Sequence, residues 1–179
     1  MAAIPSNPRG IPKAPFIGNI DEFIVGSTVD DTLRKFQEMI SKYKYMEVHL
    51  LQRKKNLDNK LPEIKKTLDI VRFLVGKKET DPDTPIETQF ELNETLWASA
   101  KIQPRGTVYL WLGANVMLEY STEEASELLS EKYDTAGKRL LEVDEDLNFL
   151  REQITTMEVN TARVHNWDVK RRREQTAKA

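Results

Sequence analysis

The chain has 179 residues, of which 31% are charged, and its formal net charge is −2. This length allows one ordinary domain, and the small net charge creates no global field that would attract nucleic acid or a membrane surface. The absence of cysteine excludes a disulfide framework, a thiol nucleophile and a zinc ribbon. Because no signal pattern or membrane-spanning apolar run is present, we expect a soluble intracellular protein.

The N-terminal residues 1–26 combine prolines with apolar side chains. Four prolines, the last of them Pro15, rule out a helix there, yet the stretch is too apolar for a simple linker. We expect a flexible segment, and two interpretations stay open: it docks on one of the chain's own helices, or it offers an adhesive apolar surface. The apolar residues concerned include Phe16, Ile17, Ile20, Phe23 and Ile24.

Capping boxes mark the starts of two predicted helices, at 27–78 and 121–173. Ser27 and Thr28 are each followed three residues later by an aspartate, and Ser121 is followed at the same spacing by a glutamate. In this arrangement the hydroxyl oxygen accepts a hydrogen bond from a free backbone N–H of the first turn. Both sites precede a run of periodic apolar residues, which supports a helix start.

The first helix carries a seam of apolar residues in alternating steps of three and four. The series runs from Leu33 to Val75, and only Glu47 and Lys54 break it. A 3.5-residue period held this long is typical of a coiled coil. Pro62 removes one backbone hydrogen bond, and we expect a kink that leaves the seam in register.

Between the helices, over 79–120, the apolar period changes to two, which predicts four short strands in two hairpins. Residues that favour tight turns lie near Asn93, near Gly106 and at 113–115. The stretch 108–112 is apolar on both faces, so we expect both faces to be buried. The predicted assembly surface consists of Phe90, Leu92, Leu96, Val108, Leu110, Leu112, Gly113, Val116 and Leu118.

The second helix resumes the step of three and four from Leu129 to Val164. A basic run follows at 170–173, and we expect a disordered tail at 174–179. The run has two interpretations. Its cations stabilise a helix C-terminus through the macrodipole, or they contact an acidic surface of a partner.

Together these elements predict a mostly α fold with a small β part: a long antiparallel two-helix coiled coil joined by two β-hairpins. Isolated hairpins are marginal in water and present unpaired edges. We therefore expect an obligate oligomer in which the hairpins pair with strands of other subunits. The alternative is a compact monomer whose hairpins fold back onto the coiled coil.

This order of elements resembles the α-type subunits of the prefoldin family, whose β-type subunits carry one hairpin. Short stretches of sequence between about Gly10 and Arg173 also resemble that family. They are Tyr43 to Glu47, Pro62 to Lys65, Leu110 to Tyr120, Asp146 to Arg151 and Val164 to Arg172.

The resemblance implies a heterohexamer with one further α-type and four β-type subunits, whose hairpins build a double β-barrel platform with six hanging coiled coils. It also implies an ATP-independent co-chaperone that holds unfolded actin and tubulin and releases them to the cytosolic chaperonin. No cofactor, metal, nucleic acid or membrane is implied. A cytoplasmic location is expected, and a nuclear one stays open.

Within this resemblance the client-binding tips are the start of the first helix and the end of the second. Trp167 has two other interpretations, as seam packing or as an anchor for the N-terminal segment. The implied tip residues are Phe16, Ile17, Ile20, Phe23, Ile24, Val164, Trp167 and Val169. The implied chaperonin contact is formed by Lys170, Arg171, Arg172 and Arg173.

Other classes of function fit the sequence less well. His49 and His165 lie on different predicted helices and suggest neither a metal pair nor a catalytic triad. The Gly76-Lys77 pair lacks the spacing of a phosphate-binding loop. A structural coiled-coil tether or adaptor explains the helices but not the four strands. A nucleic-acid module would need aromatic residues interleaved with basic ones, and here the aromatic residues lie in strands or seams.

Overall fold

The computed structural model describes residues 6–26 and 28–178, with backbone only for Lys178. The chain divides into two compact units. One, which we call the terminal unit, comprises residues 1–56 and 140–179, and the other, the hairpin unit, comprises residues 57–139.

Two long helices flank two hairpins, which confirms the predicted fold class. Helix α2 (Val29–Thr80) and helix α3 (Thr122–Lys178) each contribute to both units, and a short helix α1 (Ile20–Phe23) precedes them. The strands are β1 (Ile86–Asn93), β2 (Leu96–Ile102), β3 (Thr107–Gly113) and β4 (Val116–Ser121).

Several element boundaries differ from the expected ones, and the expectation that residues 1–26 contain no helix is wrong. The two long helices begin at Val29 and Thr122 rather than at 27 and 121. Helix α1 forms after the last proline of the N-terminal segment, where the Asn19 side chain accepts a hydrogen bond from the Asp21 N–H at 3.1 Å. Helix α2 ends at Thr80 rather than 78. Residues 174–178, expected to be disordered, continue α3, since nothing between 170 and 178 is a proline or a glycine that would stop it.

Hydroxyl side chains cap both long helices, and the second helix has a complete capping box. The Thr28 hydroxyl oxygen accepts from the Asp31 N–H at 3.1 Å, and the Ser121 hydroxyl oxygen accepts from the Glu124 N–H at 3.1 Å. The Glu124 carboxylate returns the contact by accepting from the Ser121 N–H, also at 3.1 Å. Ser27, predicted to cap the first helix as well, lies outside the described residues.

The capping carboxylate of Glu124 makes the stability of α3 depend on pH. The Ser121 hydroxyl, and then its backbone N–H, lower the pKa of Glu124. A lowered pKa in the folded state means that the stabilisation is complete above the ordinary glutamate pKa and is lost as the pH falls through the lowered one. We expect Glu124→Gln to lower the melting temperature at neutral pH, and we expect the deficit to vanish in acid.

Melting curves from pH 7 down to pH 3 test this prediction, with Glu127→Gln as the matched control on the exposed face of the same helix. The control should match the unmodified chain at every pH. A deficit of Glu124→Gln that stays constant with pH would show that the cap does not act through the charge.

In the terminal unit, α2 and α3 pack as an antiparallel pair. Tyr43, Leu150 and Met157 are no more than 2% exposed. The two residues that break the first seam each face a side chain of opposite charge on α3. Lys54 Nζ lies 2.7 Å from Asp144 Oδ1, and Glu47 Oε1 lies 3.9 Å from Arg151 Nε. Exposed pairs of this kind stabilise by about 0–1 kcal/mol, so the apolar seam supplies most of the stability.

The hairpin unit has its own core, in which α2 and α3 meet the second hairpin. Pro62 lies inside α2, and its seam neighbours Leu61 and Ile64 are both half-buried, so the seam keeps its register there. The buried core residues are Leu68, Val71, Ala125 and Leu129, with Val108, Leu110 and Tyr120 packed against them.

The four strands form two separate two-stranded antiparallel sheets, β1 with β2 and β3 with β4. The turn between β3 and β4 uses Ala114 at φ 49° and Asn115 at φ 60°, as the sequence predicted. Gly106 precedes β3 at φ 78°, and a Cβ there would lie 2.8 Å from Lys78 Nζ. The positive φ therefore favours glycine at this turn, whereas the end of the flexible Lys78 side chain could move away from a Cβ.

Candidate functional site: exposed hairpins and a docked N-terminal segment

The first hairpin is amphipathic, and its apolar face is uncovered. Phe90 is 62% exposed, Leu92 and Leu96 are 58% exposed, and Phe90 lies opposite Ala98. On the other face Glu87 pairs with Lys101, at 2.9 Å. Within the described part of the chain, neither core cluster includes a residue of this hairpin. Its apolar face therefore has no cover from the residues of its own chain that the structure describes.

The second hairpin is covered on one face only. Val108 and Leu110 pack against the core of the hairpin unit, whereas the side chains at positions 109 and 111, which point to the opposite face of the strand, are exposed. Leu112, near the turn at the end of the strand, is 41% exposed. The burial expected on both faces of 108–112 therefore needs a second chain. The other exposed apolar residues of this hairpin are Tyr109, Trp111, Val116, Met117 and Leu118.

Both sheets also end in unpaired strand edges, because each contains only two strands. Edges of this kind bind further strands through their free N–H and C=O groups. Contiguous exposed apolar surface marks an interaction site. The hairpins thus combine the two features that favour assembly through strands of another chain.

A second constellation lies in the terminal unit, on one face of α3. Asp146, Gln153, Asn160 and Trp167 recur at intervals of seven residues, and we call this row the polar ladder. Asp146, Gln153 and Asn160 are buried, the last of them completely, and Trp167 is half-buried. Buried polar groups must find hydrogen-bond partners, and the N-terminal segment supplies them.

The middle of the segment is held through its main chain. Gln153 Oε1 accepts from the Ala14 N–H at 2.9 Å. Asn160 Oδ1 accepts from the Ile17 N–H at 3.2 Å, and Asn160 Nδ2 donates to the Pro15 carbonyl at 2.7 Å.

Two residues outside the ladder add contacts of the same kind. Arg163 donates to the carbonyls of Ile17 and Gly18, at 2.5 and 3.0 Å. From α2, the Tyr43 hydroxyl donates to the Pro12 carbonyl at 2.9 Å. Burial raises the pKa of Tyr43, so this hydroxyl keeps its proton as a donor.

Side-chain contacts anchor the two ends of the segment. At the beginning, Arg9 Nε lies 2.6 Å from Asp146 Oδ1, and Asn7 donates to the same oxygen at 2.7 Å. The hydrogen bond to Asp146 is the main reason that the pKa of Arg9 is raised. At the other end, Trp167 Nε1 donates to Asp21 Oδ1 at 2.8 Å. Trp167 thus anchors the N-terminal segment, one of its three interpretations.

This docking determines which of the predicted tip residues are exposed. Ile17, Ile24 and Val164 are buried, so they are not exposed client contacts in this conformation. Phe16 is 69% exposed and Phe23 is 43% exposed. The remaining predicted tip residues are half-buried: Ile20, Trp167 and Val169.

The basic run is embedded in α3 and largely paired. Arg171 and Arg172 both contact the buried Asp168, at 3.0 and 2.7 Å, and the Arg171 guanidinium lies 4.9 Å from the Trp167 ring centroid. Lys170 lies 3.9 Å from Glu174. Because the helix continues beyond the run, a stabilising effect on the helix C-terminus does not explain it.

The sequence analysis missed the polar ladder, although its signal was present. Gln153 and Asn160 each directly precede a seam position, Ile154 and Thr161 respectively, and keep the seven-residue spacing. Ile11, Ala14 and Ile17 show a matching period of three. Polar residues at a seven-residue spacing look like an ordinary flank of a heptad repeat, and a period of three matches neither the apolar helix pattern nor the strand pattern.

The described residues contain no group of three or more His, Cys, Asp or Glu side chains that could hold a metal ion. His49 packs edge-on against Tyr45, with ring centroids 4.3 Å apart. No helix in the described ranges is both long enough and apolar enough to cross a membrane.

A family model described as "Prefoldin subunit" matches residues 43–167, which is more than half of the chain. The chain belongs to the prefoldin family. This is a family of chaperone subunits rather than enzymes. The docked N-terminal segment precedes the matched range.

Individual prefoldins are similar over nearly the whole chain. Prefoldin subunit 3 of Elsinoe fawcettii is 54% identical over 171 residues, covering 95% of this chain and 86% of that protein. Prefoldin subunit 3 of Homo sapiens is 48% identical, covering 91% and 83%. The probable prefoldin subunit 3 of Schizosaccharomyces pombe is 51% identical, covering 92% and 94%.

A solved prefoldin structure shares the fold. The cryo-EM structure of filamentous PFD from Methanocaldococcus jannaschii aligns with a TM-score of 0.53 and 15% identity. The alignment covers 69% of this chain and 98% of that one. At this identity the likeness concerns the fold alone.

Proposed function

We propose that the chain is an α-type subunit of a heterohexameric prefoldin co-chaperone, together with one further α-type and four β-type subunits. The complex binds unfolded actin and tubulin chains without ATP and passes them to the cytosolic chaperonin. It acts in the cytoplasm, and its presence in the nucleus is a separate question.

The uncovered apolar face of the hairpins carries this proposal. Phe90 on the first hairpin and Leu112 on the second are exposed in the single chain, next to unpaired strand edges. A tether needs only its coiled coil and gains nothing from such a surface. A ring of subunits, by contrast, would bury it.

Client holding without nucleotide is consistent with the chemistry available. Burial of apolar surface is non-directional and tolerates many client sequences. Phe16 and Phe23 supply exposed aromatic surface in the terminal unit. The basic run at 170–173 is the proposed contact with the chaperonin, where its charge would meet an acidic surface.

The test uses the complete complex, purified with this chain as one subunit. Denatured actin is diluted into buffer without nucleotide, with and without the complex, and aggregation is followed by light scattering. We expect suppression at near-stoichiometric concentration, and transfer of labelled actin when chaperonin is added. An unrelated antiparallel coiled-coil protein is the control. Equal aggregation with and without the complex would contradict the proposal and favour the tether or adaptor.

A further inference from the structure

We propose that the polar ladder of α3 lines a groove that binds the main chain of an extended peptide. Residues 7–18 of the same chain occupy this groove in cis. In trans, an extended apolar stretch of an unfolded polypeptide fills the same groove after displacing them. This inference rests on the proposed function, because it assigns clients to one groove.

The groove and its occupant agree in length. The segment buries every third residue, at Ile11, Ala14 and Ile17, which is the period of a polyproline II helix. Three residues of that conformation advance about 9 Å. Seven residues of an α-helix advance about 10.5 Å. One turn of an extended chain therefore fits one step of the ladder, as the contacts of Ala14 with Gln153 and of Ile17 with Asn160 show.

The middle of the groove recognises groups that every polypeptide carries. Between Pro12 and Gly18, every hydrogen bond that holds the segment involves its backbone. Gln153 and Asn160 accept from backbone N–H groups, and Tyr43, Asn160 and Arg163 donate to backbone carbonyls. A client needs only an extended backbone and apolar side chains at every third position to make the same contacts. Folded proteins, whose backbone groups are already paired, cannot make them.

An empty groove would expose side chains of α3 that are now buried, which costs free energy. A client must therefore replace the N-terminal segment directly. Leu150, Met157, Val164 and Asn160 are all fully buried beneath or beside the segment. Linkage through a short loop gives the segment an effective concentration of the order of millimolar. A client stretch must compete with this effective concentration of the segment. Long unfolded chains that the complex also holds at other points compete best.

The experiment locks the segment in place reversibly. Lys13→Cys and Glu152→Cys put two thiols on exposed positions next to the Ala14–Gln153 contact, and the chain has no cysteine of its own. With the thiols of the other subunits alkylated before assembly, a disulfide-containing bismaleimide joins the pair in the complete complex. We expect the locked complex to bind denatured actin at least about tenfold more weakly, because the fraction of complexes whose groove can open falls. We expect reduction of the cross-link to restore binding.

The matched control keeps Glu152→Cys and pairs it with Thr155→Cys, so that the same reagent bridges α3 without touching the segment. Native mass spectra confirm that both variants assemble. If the locked complex binds actin as well as the reduced one, the segment is a permanent part of the fold and this inference is wrong while the proposed function stands. If the reduced complex binds no actin either, both fail.

Discussion

Replacing Leu112 by aspartate is expected to remove the chain from the assembled complex while leaving the chain itself folded. Leu112 is 41% exposed in the single chain, so an aspartate there stays hydrated and costs little before assembly. Within an assembly that buries the second hairpin, the same carboxylate would be buried without a partner. The effective penalty for a buried, unpaired charge is several kcal/mol, or roughly a thousandfold or more in the assembly constant.

Co-expression with the other subunits followed by size-exclusion chromatography measures this effect. Leu141→Asp is the matched control, because Leu141 is also an exposed leucine, at 65%, and lies on α3 outside the hairpins. Phe90→Asp extends the test to the first hairpin and should behave like Leu112→Asp. A normal yield of complex from both hairpin variants would refute the assembly surface.

Replacing Asn160 by leucine is expected to release the N-terminal segment from α3. Leucine has the same number and branching of side-chain heavy atoms as asparagine but leaves the Ile17 N–H and the Pro15 carbonyl without partners. Each unsatisfied buried group costs about 1–3 kcal/mol. Because the segment can undock and leave these groups in water, we expect local release rather than loss of the coiled coil.

Amide hydrogen exchange shows the release directly. The Ile17 amide should exchange at least about tenfold faster in Asn160→Leu, since 1.4 kcal/mol corresponds to a factor of ten. Amides in the middle of α3 should keep their protection. Asn166→Leu, an exposed position on the same helix, is the matched control and should leave the Ile17 amide unchanged. Unchanged exchange in Asn160→Leu would show that the main-chain contacts do not hold the segment.

The sequence predicted the helices and hairpins well because their signals are local or periodic. The seam from Leu33 to Val75 needs no knowledge of the partner helix, and neither do the capping boxes at Thr28 and Ser121. The partners of Glu47 and Lys54 could not be assigned in the same way. They depend on the register between two helices, which only the packed structure specifies.

The docked segment was harder to predict, for a different physical reason. Its recognition uses backbone groups of residues such as Ala14 and Ile17, which every sequence has and no motif reveals. The matching side chains, Gln153 and Asn160, resemble ordinary solvated positions of a charged helix. The burial of hairpin residues such as Phe90 and Leu112 could not be predicted either, because it depends on other chains.

We expect that this chain completes its fold only inside a ring of related subunits. The most direct test is a native mass spectrum of the tagged chain after gentle isolation from its own lysate. We expect a complex of six chains, containing this one and five other small coiled-coil proteins. A monomer or a homo-oligomer would contradict the claim and leave a coiled-coil tether or adaptor as the better description.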